Sequence, residues 1–363
     1  MAEVTPIGIA GLAVLSALGR GAEPQLAAAL SGTPAFGPVD RFDVSGRRVG
    51  VAATLGQVDT LTAELAEVIE AACADAGLTA GQRAGTPLLL ALHGHPGARS
   101  CALELAERAG LAGAGRIYTG ACVSASTAVA DAAVMIGRGV DRVVVAAGYL
   151  VESDQFALFD AGQALSADGA VRPFSAGRQG LLLGDAIAAV VLESGTAAAA
   201  RGHQPATELI GWGRAGDAHH PCQPAPDGRG LARAIDASLQ RADLSADAIG
   251  YINANATGTL LSDTAEAAAL HRALGSAAVR VPISSTKAVH GHALEASGLL
   301  ELVITVLSLQ AGKLPVNAGY LAQDDSCELD VILASPRPVT TPYALSLNAA
   351  FGGANTALLV RVA

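Results

Sequence analysis

The sequence predicts an α/β protein whose sheets are largely parallel. Strand-like and helix-like stretches alternate along almost the whole chain, the pattern of βα units. Two runs of helical length, Ser124 to Arg138 and Ala293 to Ala311, carry almost no charge. They are too apolar to be surface helices and belong inside. Each follows a short strand-like stretch, and the second half repeats the order of the first. This points to an internal duplication, with halves at residues 1–200 and 201–363.

Taken in order, Val4 to Ala10 reads as a strand, and Gly11 to Gly19 as a Gly-punctuated turn into a helix that includes Glu23 to Leu30. Asp59 to Ala76 is helical, because Leu61, Leu65, Val68 and Ile69 fall on one face. Pro87 to Leu92 is an apolar strand, Ala102 to Ala109 a short helix, and Arg116-Ile117-Tyr118 a strand leading into the first buried helix. Asp141 to Gly148 and Asp185 to Glu193 are buried strands, and Ala198 to Gln204 is a surface crossing. In the second half, Glu208 to Gly213, Ile249 to Asn253 and Ile283 to Ser285 read as strands, and Gly230 to Ala242 and Thr264 to Leu274 as helices. Tyr343 to Asn348 and Thr356 to Val362 are closing strands joined by Phe351-Gly352-Gly353-Ala354.

Composition narrows the function. Of 363 residues, 51% are apolar, which supports one large core, yet no apolar run reaches the roughly 18 residues of a membrane helix. The N-terminus shows no basic region followed by an apolar stretch and a cleavage site, so no secretory signal is expected. Cysteines stand far apart at 73, 101, 122, 222 and 327, with no CxxC pair, which implies reduced thiols and a cytoplasmic protein. The formal charge is −10 and there is no basic stripe, so nucleic-acid binding is not expected.

The chain is organised around Tyr118-Thr119-Gly120-Ala121-Cys122-Val123-Ser124. Gly120 and Ala121 permit a tight turn, which puts Cys122 where a strand meets the N-terminus of a buried helix. Unpaired N–H groups and the positive end of the helix dipole favour a thiolate there, and the thiolate is the nucleophile. On this basis Cys122 is expected to be the most alkylation-reactive of the thiols. The alternative is one more small buried hydrophobe.

Three further stretches lie at strand ends, where α/β sheets build sites. They are Tyr251 to Thr259, with Asp263 and Glu266 behind it; Ser284 to His292, leading to Glu301; and Asn348 to Asn355. Bland readings accompany each. His290 with His292 is a weak metal pair without a third ligand nearby. His93-Gly94-His95 is a loop. Glu266 with Lys287 suits a buried ion pair that supports shape. Gly352-Gly353 suits a simple turn, since no strand–GxGxxG–helix unit indicates a nucleotide.

Together these stretches resemble the β-ketoacyl synthase family, over nearly the whole chain. The resemblance implies a thiolase-like five-layer α/β/α/β/α fold, with the two apolar helices side by side in the middle layer. It implies that Cys122 accepts the acyl group and that the N–H groups of Cys122 and Phe351 form the oxyanion hole. Lys287, His292 and Glu301 match the family's lysine, second histidine and glutamate, with Glu266 in support. Thr257 and Thr259 match the threonines that contact a pantetheine arm, and His220 a position near its entrance. Ala164-Leu165-Ser166, Arg172-Pro173-Phe174 and Gly184-Asp185 match the central signature. No resident cofactor or metal is implied: phosphopantetheine arrives on an acyl carrier protein or as coenzyme A. The implied partner is a second copy or a homologous ketosynthase subunit.

The chain departs from the family pattern at the first histidine, which is Asn255, followed by Ala256 in place of glycine. Gln179 stands for an aspartate, Ala350 for a glycine, and the segment between Leu92 and Arg116 is short by about a helix and a loop, which normally helps wall the acyl pocket. Asparagine donates a hydrogen bond but carries neither a proton nor a charge. Three functions follow. The first is acyl transfer through Cys122 with malonyl decarboxylation weakened by Asn255. The second is ordinary condensation of an acyl group with a malonyl thioester. The third is a non-catalytic partner resembling a chain-length factor.

Overall fold

The computed structural model describes residues 6–94 and 97–363. Val4 and Thr5 of the first expected strand, and His95, lie outside the described residues. Ten strands carry the architecture: β1 Ile7–Ser16, β2 Leu88–Ala91, β3 Ala114–Tyr118, β4 Arg142–Tyr149, β5 Ala186–Ser194, β6 Thr207–Gly216, β7 Tyr251–Asn253, β8 Ile283–Ser284, β9 Tyr343–Ala350 and β10 Ala354–Val362. They run β3-β2-β4-β5-β1 and then β6-β10-β9-β7-β8, joined where Ile7 and Gly8 of β1 meet Leu209 and Glu208 of β6. Read outward from that junction, the two orders are the same. The fold is thus duplicated about the β1–β6 contact.

The sheets are mixed, not largely parallel. Only β2 with β3 and β4, and β7 with β8 and β9, pair in parallel among the ten; the inner strands of both halves are antiparallel. Alternation of strands and helices fails at β9 and β10, which a tight turn joins, and such a turn permits only antiparallel pairing. Strand β1 also runs through the expected turn at Gly11, with its register shifted between Ile9 and Gly11 by a bulge. Ala198 to Gln204 is partly helical, in a short helix Gly195–Ala200 whose N-cap Ser194 accepts the Ala197 N–H.

Helices α1 Leu61–Asp75 and α2 Arg229–Ala242 cover the outer faces of the two half-sheets. Between the sheets lie α3 Ser124–Ile136 and α4 Ser297–Gln310, which touch each other and strands of both halves. That is the five-layer, thiolase-like arrangement. Being covered by sheet on two sides and by each other, these helices need apolar residues all round, as their sequences supply. The run Ala293 to Ala311 is not one helix: Leu294–Ala296 forms a separate 3-10 turn before α4 starts at Ser297.

Two close approaches fix the site. Gly298 on α4 lies where a Cβ would come within 3.0 Å of Ser126 Oγ on α3 and 2.8 Å of Asn348 Oδ1 on β9. Gly184 faces the loop carrying the second histidine: a Cβ there would stand 2.0 Å from the His290 carbonyl oxygen. Two backbone hydrogen bonds, from His292 N–H to Leu182 oxygen and from Gly184 N–H to His292 oxygen, hold that loop in place. Gly184→Ala is expected to lower stability by about 1–3 kcal/mol, the cost of overpacking, measured by urea unfolding. It should reduce Cys122 acylation beyond that loss, because the His292 loop must move.

Candidate active site

The structure gathers residues from four strand ends. Cys122 follows β3 in the 3-10 turn Ala121–Val123, which opens α3; Asn255 follows β7; His292 follows β8; Phe351 follows β9. Ala121 takes a left-handed conformation, φ 52°, sparsely populated for a residue with a side chain. This strained step turns the chain sharply enough to present Cys122.

Cys122 Sγ lies 3.0 Å from His292 Nε2. On the far side of the ring, His292 Nδ1 is 2.8 Å from Ser297 Oγ, which also accepts the Ala293 N–H at 2.9 Å. Ser297, the first residue of α4, therefore orients the imidazole. With Nδ1 protonated toward Ser297, Nε2 is open to take the thiol proton.

The resting state is not the expected thiolate. Cys122 is 7% exposed, and burial, followed by the Glu295 carboxylate, pushes its thiol up to about 12. Burial and the nearby Lys287 charge hold His292 well below the usual imidazole range. The pair at rest is a neutral thiol beside a neutral imidazole, and the helix end does not overcome desolvation.

Asn255 is oriented by its neighbours. Its side-chain oxygen accepts from Lys287 Nζ at 3.4 Å and from the Ala349 N–H at 3.1 Å, while its backbone N–H donates to Glu266 Oε1 at 2.8 Å. Both side-chain partners are donors, so the amide oxygen must face them. The NH2 group is thereby left for the cavity that Asn255 lines. Lys287 does not pair with Glu266. Its partner is Glu301 Oε1, at 2.7 Å, and Glu301 Oε2 accepts from Asn348 Nδ2 at 2.7 Å. His290 is not the second half of a metal pair, because its Nδ1 meets Gly291 oxygen and its Nε2 meets Thr286 Oγ1.

A cavity of about 460 Å³ opens from Cys122 and His292 past Asn255, Thr257, Thr259, Gln179 and Phe351. The Thr257 and Thr259 hydroxyls are 3.1 Å apart. Phe351 stacks on Phe159, ring centres 6.0 Å apart, and its N–H has no partner among the described residues. His220 does not line the cavity: it is exposed, with Nδ1 accepting the Cys222 N–H, and Cys222 itself reaches the lining. A larger cavity of about 600 Å³, beside Arg41, Glu64 and Glu152, holds none of these residues.

Two models of β-ketoacyl synthase domains match the sequence, the N-terminal domain at residues 94–198 and the C-terminal domain at residues 206–320. The chain belongs to the β-ketoacyl synthase family. It is 32% identical over 247 residues to 3-oxoacyl-[acyl-carrier-protein] synthase 2 of Staphylococcus aureus, a match covering 66% of this chain and 61% of that protein. The enzyme of the same name from Vibrio harveyi is 35% identical over 260 residues, covering 69% and 63%. The match thus spans somewhat less than two thirds of these relatives. Among solved structures, the ishigamide ketosynthase/chain length factor superposes at a TM-score of 0.93, with 25% identity, over 99% of this chain and 100% of that one.

Sequence reasoning missed Ser297, which orients the His292 ring, and Glu295, whose carboxylate raises the Cys122 thiol. A signal for Glu295 and Ser297 was present: two polar residues interrupt an apolar run directly after His292. Reading that run as one helix hid them.

Because neither thiol nor imidazole changes protonation near neutrality, acylation of Cys122 by a thioester should vary little with pH between about 6 and 8. An ordinary thiol would show a rise toward its usual value near 8.5; stopped-flow acylation against pH tests this. Alkylation should run in the opposite order to the sequence expectation. Cys222, which is exposed, is expected to take iodoacetamide before buried Cys122, as peptide mapping would report.

Proposed function

We propose that the chain is a ketosynthase-type acyltransferase of fatty-acid or polyketide biosynthesis. It takes an acyl group from a thioester onto Cys122 and passes it to an acceptor. The observation that carries this reading is the 3.0 Å contact between Cys122 Sγ and His292 Nε2 at the cavity. Cys122 sulfur attacks the thioester carbonyl, and its proton moves to His292 Nε2. The bond to the donor thiol breaks, and His292 returns the proton to the leaving sulfur. The N–H groups of Cys122 and Phe351 serve the oxyanion. Thr257 and Thr259 line the approach for a phosphopantetheine arm, which comes with the substrate. The names of the relatives specify an acyl carrier protein, and the same donor class, or coenzyme A, is proposed here. A second copy or a homologous ketosynthase subunit is the proposed partner.

A specific observation favours a second reading, condensation with a malonyl thioester. The donors that hold Asn255 Oδ1 leave its NH2 free on the cavity wall to donate to a thioester enolate, and His292 would supply a second donor in its other tautomer, with Nε2 protonated and Nδ1 accepting from Ser297 Oγ. Asn255 supplies no charge, however, so decarboxylation is expected to be slower than with a histidine at this position, by up to one oxyanion donor's worth, on the order of 10²–10³ in rate. The retained Cys122–His292 contact argues against a non-catalytic partner role.

Carbon dioxide release from a malonyl thioester and acyl-enzyme formation by intact mass, compared on one preparation, separate these readings. Acylation without comparable decarboxylation is expected. Cys122→Ala should abolish acylation. Asn255→His should raise decarboxylation as far as Ala256 and Ala350 leave room for the ring. Fast decarboxylation with carbon–carbon bond formation by the unaltered chain would establish condensation, and no acylation from any thioester would leave the partner role.

A further inference from the structure

The duplication places a second set of polar side chains against the nucleophile. Cys122 is the middle residue of the turn Ala121–Val123, and Glu295 is the middle residue of the turn Leu294–Ala296. Each turn begins with a non-glycine residue at positive φ, 52° at Ala121 and 40° at Leu294, and each opens a central helix. The two turns touch. Asn255 stands two residues beyond β7, and His93 two residues beyond the corresponding strand β2. Cys122 with Asn255 therefore has a counterpart in Glu295 with His93.

That counterpart is incompletely satisfied: Glu295 is buried, whereas the His93 ring is half exposed at the surface. Glu295 is 4% exposed; Oε1 lies 3.1 Å from His93 Nδ1, and Oε2 has no partner among the described residues. Tyr149, at the end of β4, is 3% exposed, and its hydroxyl also lacks a partner among the described residues. The Glu295 turn packs on β4 as well as on the Cys122 turn. After burial, the Glu295 carboxylate is the strongest influence raising both the Cys122 thiol and the Tyr149 phenol, so the three groups lie within electrostatic reach of one another. Glu295, Tyr149 and His93 are absent from the lining of the cavity that holds Thr257 and Thr259. The Glu295 turn thus meets the Cys122 turn outside that approach.

Two buried polar atoms without partners are costly unless something supplies hydrogen bonds. A carboxylate only accepts, so the group that completes the set must donate. On the acyl-transfer reading, on which this inference rests, the acyl chain extends from Cys122 away from the pantetheine approach. We propose that Glu295 and Tyr149, with His93 steadying the carboxylate, form the acyl subsite and select acyl groups bearing a hydrogen-bond donor, a hydroxyl or an amine.

The test is the rate of Cys122 acylation, by intact mass, from N-acetylcysteamine thioesters of butyrate, β-hydroxybutyrate and γ-aminobutyrate. The proteins are the unaltered chain, Glu295→Gln, Glu295→Leu and Tyr149→Phe, with thermal unfolding checked for each. The unaltered chain is expected to favour a substituted acyl group by at least about tenfold, since a site built to bind a donor rejects the analogue lacking it. Glu295→Leu should remove or invert that ratio and Tyr149→Phe should reduce it. Glu295→Gln should keep a hydroxyl preference and lose an amine preference, which identifies the donor. A purely structural role would slow all three thioesters alike and leave the ratio unchanged. Equal rates in the unaltered chain, or a ratio that survives both Glu295→Leu and Tyr149→Phe, would mean that water alone serves these atoms and would overturn the proposal. Failure of every thioester to acylate would overturn the transfer reading, and this inference with it.

Discussion

The site depends on one buried ion pair. Lys287 and Glu301 are almost wholly inaccessible, 1% and 0% exposed. Taking two charges out of water costs several kcal/mol per ion unless geometry and further hydrogen bonds compensate. Here they do: Lys287 also reaches Asn255 Oδ1, and Glu301 also receives Asn348 Nδ2. The pair therefore ties the loop that bears His292 to the helix behind it, and sets the amide of Asn255 and the end of β9 by the same contacts. Removing either partner would strand a buried charge, so the arrangement specifies geometry more than it adds stability.

Around that pair the internal duplication supplies the scaffold. Two half-sheets of equal strand order meet at a short β1–β6 contact, and two apolar helices fill the space between them. Both helices open with a strained 3-10 turn whose middle residue points to the shared centre, Cys122 from one half and Glu295 from the other. Close-packed small residues let the helix starts come together, as at Gly298 against Ser126. Strain at Ala121 and Leu294 persists because the packed layers leave those turns no alternative.

Burial sets the chemistry as much as residue type does. A cysteine at a helix start in water-accessible surroundings leans toward thiolate, but at 7% exposure, with a carboxylate nearby, desolvation prevails. The proposed transfer would then rely on proton movement to His292 during attack, with Ser297 presenting the ring. Asn255 illustrates the complementary case. As a residue type it stands where the family resemblance implies a histidine, yet two fixed donors on its oxygen turn its NH2 into an aimed hydrogen-bond donor.

Periodicity in the sequence determined the α/β class, most of the strands and helices, the buried pair of central helices and the place of Cys122 at a helix start. These follow from local properties: apolar runs, turn residues and the order of stretches along the chain. The grouping of Asn255, His292 and Phe351 with Cys122 was implied by the resemblance to the β-ketoacyl synthase family. The tertiary structure alone decided three things. The antiparallel inner strands follow from which strands become neighbours, and alternation does not encode that. The neutral state of Cys122 follows from the depth of burial, which local sequence cannot measure. The contact of His93 with Glu295, on the turn that packs against the Cys122 turn, joins residues 202 positions apart, through stretches that the sequence reads as uninterrupted helix or plain loop. Contacts at that separation are set by how the two halves close on each other, so neither half carries the information by itself.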